Sequence, residues 1–204
     1  MNDLLAYGIG IAGAFVLGSV PTGLWLGLGL RGIDIREHGS QNIGATNTLR
    51  VLGKGLGAVA LLGDMLKGLL PVLAAQAYTA APGLPVACGI AAILGHTFSI
   101  FLRFRGGKGV ATSTGVFLGL APIATGIAFV VFMATLAVTR MVSAGSLAAA
   151  LALSVAVALL PAPWPVRCVV WTAAVLVFIR HRANIQRILN GTESRIGRKT
   201  TPEP

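Results

Sequence analysis

Charge is scarce in this chain, and negative charge is scarcest. Asp, Glu, Lys and Arg together make up 11% of the 204 residues, and Asp and Glu fill only six positions. A soluble domain carries about 25% charged residues, so the chain lacks the surface of one. The few carboxylates form no acidic pair, no catalytic triad and no metal cluster. Cysteine is nearly absent. Cys88 and Cys168 lie in apolar segments without CxxC or Cys/His spacing, which gives no disulfide framework and no metal site. No cysteine stands in a polar setting that would suggest a covalent nucleophile; both read as small buried hydrophobes. The N-terminus does not read as a cleavable leader, since the only early charge is Asp3 where a basic n-region would be expected. The first apolar run therefore reads as a retained helix.

Apolar sequence is abundant. Residues 4–30 and 110–139 contain no charge, and a spanning helix needs about 20 apolar residues. The apolar segments run 4–30, 55–79, 86–102, 110–139, 141–160 and 164–179, with an uncharged turn at 80–85. These predict an all-α polytopic transmembrane bundle: one membrane domain over 1–199 and a short polar tail at 200–204. Glycine occurs 27 times, as expected where helices must approach closely in lipid.

The net charge of +10 does not point to nucleic acid, because no basic face is interleaved with aromatics. Basic residues collect in cytoplasmic loops of membrane proteins, next to anionic lipid. Here they lie at 31–54, at 103–108 and beyond Arg180, which places all three on the cytoplasmic side and the N-terminus outside. Six crossings would put the last of these on the wrong side, so the number must be odd. Either Pro122 divides 110–139, which as one helix would measure about 45 Å, or the short 164–179 segment does not cross.

Four polar clusters carry the candidate chemistry. Gly18-Ser19-Val20-Pro21-Thr22-Gly23 interrupts the first run, where Pro21 frees carbonyls that membrane depth tolerates only against protein or a cavity. In Arg36–Asn47 the glycines Gly39 and Gly44 stand among Ser40, Asn42, Thr46 and Asn47, with Arg50 following at helical spacing. Such a turn presents amides to an anion, and Arg adds a planar fork for phosphate. The stretch 95–112 places His96 at the end of an apolar helix, then Gly106-Gly107-Lys108-Gly109 ahead of a new helix. It is not a Walker A loop, but its bare backbone, Lys108 and the helix start suit phosphate. In the fourth cluster, His181 and Asn184 share a helix face at i, i+3. Asp64 and Lys67 share one inside the second span, where they predict an ion pair.

The motifs "GSVPTG" (18–23), "HGSQNIGATN" (38–47), "GHTFSIFLRFRGGKGVAT" (95–112) and "RHRANIQRILNGTE" (180–193) resemble, in this order, those of the bacterial acyl-phosphate:glycerol-3-phosphate acyltransferases. The resemblance implies seven membrane helices, N-terminus outside, with a cytoplasm-facing site in the bacterial inner (plasma) membrane. It implies transfer of a fatty acyl group from acyl phosphate to the 1-hydroxyl of glycerol 3-phosphate, giving lysophosphatidic acid and phosphate at the first step of phospholipid synthesis. Neither CoA nor acyl-carrier protein would serve as donor, and no metal or other cofactor would be needed.

By matching position, Ser19, Ser40, Asn42, Gly44, Asn47, Arg50, Gly106, Gly107, Lys108 and Gly109 are expected to bind substrate, and His96, His181 and Asn184 to serve catalysis. Arg50, Lys108 and the Gly39–Gly44 amides would hold phosphate, His181 and Asn184 would orient the acceptor, and His96 would support the third-motif loop. The donor's own phosphate would take the acceptor's proton. Gln41 departs from the family pattern, which commonly has Gly there. The rival reading is a transporter of phosphate or an organic anion.

Overall fold

The computed structural model describes residues 3–78 and 83–197, all helix and connecting turn. The turn expected at 80–85 is described only from Gly83, and the polar tail at 200–204 lies outside the described residues. Ten α-helices follow one another: α1 (Asp3–Ser19), α2 (Thr22–Arg31), α3 (Ala45–Leu52), α4 (Lys54–Ala77), α5 (Leu84–Thr97), α6 (Val110–Leu120), α7 (Pro122–Thr139), α8 (Val142–Leu159), α9 (Trp164–Arg180) and α10 (Arg182–Leu189). Short 3-10 turns occupy Ile35–Glu37 and Ile100–Leu102.

Proline and glycine punctuate the chain as their backbones require. Pro85, Pro122 and Pro165 stand in the first turns of α5, α7 and α9, where a missing N–H costs no ladder bond. Gly32 closes α2 in the left-handed conformation at φ 64°, its amide and that of Ile33 returning to the Leu28 and Gly27 carbonyls. The 110–139 run is two helices divided at Pro122.

Four helices (α4, α7, α8 and the Leu84–Leu102 stretch containing α5) are long and apolar enough to cross a membrane. Two bent pairs, α1 with α2 at 47° and α9 with α10 at 59°, raise that number to six. α6 is apolar but has 11 residues, about 16 Å.

Glycine sets the close pairings. Gly18 on α1 rests against the Ala92 backbone of α5, and Gly95 on α5 against the Phe15 carbonyl, with no room for a Cβ at either place. Gly10 meets Leu84 and Cys88 near the start of both helices, whereas Gly18 and Ser19 meet Ala92 and Gly95 near their ends, so α1 and α5 run parallel. Gly68 meets Thr112, Gly115 meets the Met65 carbonyl and Gly119 meets Val72, which aligns α6 parallel to α4. A core of Val72, Ala92, Val116, Phe117, Val157 and Val170 joins α4, α5, α6, α8 and α9, and large apolar side chains such as Ile123, Val130 and Leu151 face outward into what would be lipid.

Four connecting segments meet at one end of this bundle. Ser194 receives a hydrogen bond from Arg50 at 2.6 Å, Asn184 receives one from Lys108, Ser143 donates to Glu193 at 2.8 Å, and the Ile196 amide donates to the Arg140 carbonyl at 2.8 Å. The chain therefore leaves this end along α6 and returns to it along α7.

Candidate active site

The break at Val20-Pro21 leaves carbonyls that the helix cannot use, and neighbours take them up. Lys67 donates from Nζ to the Val20 carbonyl at 2.6 Å, and Ser99 donates from Oγ to the Ser19 carbonyl at 2.5 Å. Lys67 is itself paired with Asp64 at 2.7 Å, both fully buried, and Thr22 donates to the same carboxylate at 3.0 Å. The i, i+3 pair expected inside the second span is thus present, and it seals the bend in α1–α2. Ser19 is buried with its hydroxyl spent on the Phe15 carbonyl at 2.8 Å.

His96 sits between this network and the glycine loop. Its Nδ1 lies 3.9 Å from Asp64 Oδ1, without a hydrogen bond. Its Nε2 faces the Gly107 Cα, where a side chain would collide with the ring. The Gly107 amide donates to the His96 carbonyl at 3.0 Å and the Gly106 amide to the Thr97 carbonyl at 3.1 Å. From the other side Arg180 donates from Nη2 to the Gly106 and Gly107 carbonyls at 2.8 and 2.9 Å. Both glycines are thereby clamped. Lys108 and Gly109, the latter left-handed at φ 78°, carry the loop into α6, whose first amides have no intrahelical acceptor.

The 38–47 loop holds itself together with groups expected to meet substrate. Asn47 is fully buried, accepts from the Ser40 amide at 2.8 Å and donates from Nδ2 to the Ile35 and His38 carbonyls at 2.7 and 3.1 Å. Asn42 accepts from the Gly44 amide at 2.9 Å, and the Gln41 amide donates to the His38 carbonyl at 3.0 Å. Three amides of the expected cradle are therefore engaged within the loop, and Asn47 is its staple. Gln41 adopts φ 57°, the left-handed region that glycine enters without cost and other residues enter at about 1–2 kcal/mol. That is the physical reason a glycine suits the position.

At the converging end, Lys108 donates from Nζ to Asn184 Oδ1. Asn184 passes the contact on, donating from Nδ2 to Glu193 Oε1 at 2.7 Å, while Ser143 donates to the same oxygen and Arg187 to Oε2 at 2.7 Å. Burial pushes the Glu193 carboxyl up, but these three hydrogen bonds outweigh it and hold the group below the ordinary range. Lys108 goes the other way: burial, with the charges of Arg187, Arg50 and Arg180 around it, outweighs the attraction of Glu193 and brings the ammonium down to about 8. His181 is buried, and its Nδ1 meets the Val177 carbonyl at 2.8 Å. A carbonyl only accepts, so Nδ1 carries the proton and Nε2 presents a lone pair.

Lys108, Asn184, His181 and Arg50 are thus brought together, whereas the side chains of Ser19 and Asn47 are engaged with backbone groups. Sequence reasoning assigned no role to Arg180, Arg187, Glu193, Ser143 or Ser194. Glu193 carried a signal, one of six carboxylates in a basic segment. Ser143 and Ser194 carried none.

The family model described as Glycerol-3-phosphate acyltransferase matches residues 8–191. The glycerol-3-phosphate acyltransferase of Geobacter metallireducens is 52% identical, over 91% of this chain and 95% of its own; that of Trichlorobacter lovleyi is 50% identical over the same shares. The crystal structure of PlsY (YgiH), an integral membrane glycerol 3-phosphate acyltransferase, in its glycerol 3-phosphate form superposes with a TM-score of 0.88 at 34% identity, over 94% of this chain and 96% of that one. Its lysophosphatidic acid form gives 0.85 at 33% identity over the same shares. The chain belongs to the glycerol-3-phosphate acyltransferase family and is a multi-pass membrane protein.

Proposed function

We propose that this member of the family transfers a fatty acyl group from acyl phosphate to the 1-hydroxyl of glycerol 3-phosphate, releasing phosphate and lysophosphatidic acid. The observation that carries the reading is the convergence of Arg50, Arg180 and Arg187 on Lys108, with Glu193 as the carboxylate that faces it, at one end of an apolar bundle. The surplus positive charge suits two phosphorylated substrates.

In this reading Lys108, Arg50 and the first amides of α6 hold phosphate. Asn184 and His181 orient glycerol 3-phosphate, with His181 Nε2 accepting from a substrate hydroxyl, and Ser40 and Asn42 border the same end. The acceptor oxygen attacks the acyl carbonyl carbon, the carbon–oxygen bond to phosphate breaks, and the departing phosphate takes the hydroxyl proton. Clamping both partners supplies the rate through positioning and through stabilisation of developing negative charge. His96 acts at one remove, as the surface on which Gly107 rests. Residues 1–199 form one domain with seven crossings: α1 with α2, then α4, α5, α6, α7, α8 and α9. The N-terminus is outside and the site lies at the cytoplasmic face of the bacterial plasma membrane, where the basic loops favour it.

Purified protein supplied with acyl phosphate and glycerol 3-phosphate is expected to form lysophosphatidic acid, and to form none when acyl-CoA or acyl-carrier protein replaces the donor. Solute flux through proteoliposomes without product would overturn the assignment. Single His96→Ala and His181→Ala variants test the proton route: both are expected to keep measurable turnover, and complete loss in either with glycerol 3-phosphate binding intact would make that side chain the base.

A further inference from the structure

A second basic cleft adjoins the site, sharing Asn42 and Gly106 with it, and its arginines have no part in the proposed reaction. Its volume is about 700 Å³, between the turn at 36–43 and the turn at 101–106. Three guanidinium groups line it, but they are not equivalent. Arg36 is forked onto Asp34 at 2.6–3.1 Å, which spends most of its charge. Arg103 and Arg105 are exposed and make no ion pair or hydrogen bond through their side chains to any described residue.

The backbone under them is held in an unusual shape. Arg103 and Phe104 are consecutive left-handed residues at φ 50° and 62°, neither of them glycine, at a cost of order 1–3 kcal/mol each. The amides of Phe104, Arg105 and Gly106 fasten the turn to the Ser99, Leu102 and Thr97 carbonyls. Arg103 and Arg105 both line the cleft, while the intervening Phe104 is 63% exposed.

One wall is apolar, with Phe101 and Leu102. Phe101 packs on Trp25 of α2 at 5.3 Å between ring centroids, an aromatic pair of the kind that marks a membrane–water interface. The far edge is Gly106, whose carbonyl Arg180 holds, so the cleft abuts the converging end. Free guanidinium forks at one side and an apolar wall at lipid level at the other match a molecule with a phosphate head and a fatty chain.

We propose that this cleft binds the phosphate end of a phosphate-headed lipid, through Arg103 and Arg105. Two sources share that chemistry: the acyl phosphate of the proposed reaction, and an anionic phospholipid of the surrounding bilayer. Only the first rests on the proposed function.

Dodecyl phosphate, which has the head and chain but no transferable acyl group, is the probe. Detergent-solubilised protein is titrated with it by native mass spectrometry, and in parallel with glycerol 3-phosphate by isothermal titration at 150 mM salt, where distant charges are screened. The Arg103→Gln/Arg105→Gln variant is expected to bind dodecyl phosphate about tenfold or more weakly, with glycerol 3-phosphate affinity within about twofold of the parent. Unchanged dodecyl phosphate binding in the variant, or none in the parent, would overturn the proposal. So would an equal loss for both ligands, which would reveal a general field of positive charge. Displacement of the probe by phosphatidylglycerol assigns the cleft to bilayer lipid; resistance to it, with a raised KM for acyl phosphate in the variant, assigns it to the donor. Intact probe binding in a protein without acyl transfer would remove the proposed function and leave the cleft standing.

Discussion

Two groups of charged residues lie on either side of His96, and they are built on opposite rules. Asp64 and Lys67 match one for one, and every strong contact they make is with each other, with Thr22 or with the Val20 carbonyl. At the converging end Glu193 faces Lys108 and Arg187, while Arg50 and Arg180 add their charge around the same Lys108. The matched pair stabilises a bend; the mismatched group keeps positive charge in reserve. Burial alone does not distinguish them, since Asn184 and His181 are as enclosed as many core residues. The balance of sign does.

That contrast can be broken from either side. Asp64→Asn alone is expected to lower unfolding free energy in detergent by about 3–5 kcal/mol, because it strands the Lys67 ammonium in the bundle. Asp64→Asn/Lys67→Met is expected to recover a large part of this. Thermal unfolding of the two singles and the double reads the coupling, and additive losses would show that the pair is not a unit. On the other side, Lys108→Met is expected to lower kcat/KM about 100-fold or more while hardly moving the melting temperature. A matched loss of stability would place Lys108 in the structural class with Lys67.

Titration sharpens the comparison further. Lys108 loses its proton at about 8 in the substrate-free site, so KM for glycerol 3-phosphate is expected to be flat below that pH and to rise above it. Arg stays protonated throughout, so Lys108→Arg should abolish the rise whatever its cost at neutral pH. The smallest effect concerns the self-bonded loop. Gln41→Gly removes left-handed strain but adds freedom to the unfolded chain, for a net gain of about 0.5 kcal/mol, visible as a small increase in melting temperature.

Much of the fold was legible because lipid leaves few alternatives. Uncharged runs marked the helices, and Pro122 divides 110–139, one of the two places where the sequence left the helix count open. The candidate site was legible where a local pattern marks a residue, as with Lys108 in its glycine loop and His181 at i, i+3 from Asn184. It was not legible where the same residue type serves two ends. Asn42, Asn47 and Asn184 look alike in sequence, yet the first two staple a loop and the third bridges Lys108 to Glu193. Ser143 lies 50 positions from the carboxylate it meets, and no local pattern records such a distance.

The 11 residues of α6 have a consequence for the order in which the chain enters its membrane. A helix of about 16 Å covers half of a 30 Å hydrocarbon layer and would leave its terminal backbone groups in lipid if it partitioned alone. Its glycines fit one surface, the face of α4 formed by Met65, Gly68 and Val72, and α4 is synthesised earlier. A nascent chain that ends at Leu120 has that groove, and the Gly89–Ala92 face of α5 against Val116, to stabilise its last helix until α7 emerges to anchor it. The placement of the Gly106–Gly109 loop thus depends on a berth prepared some forty residues before.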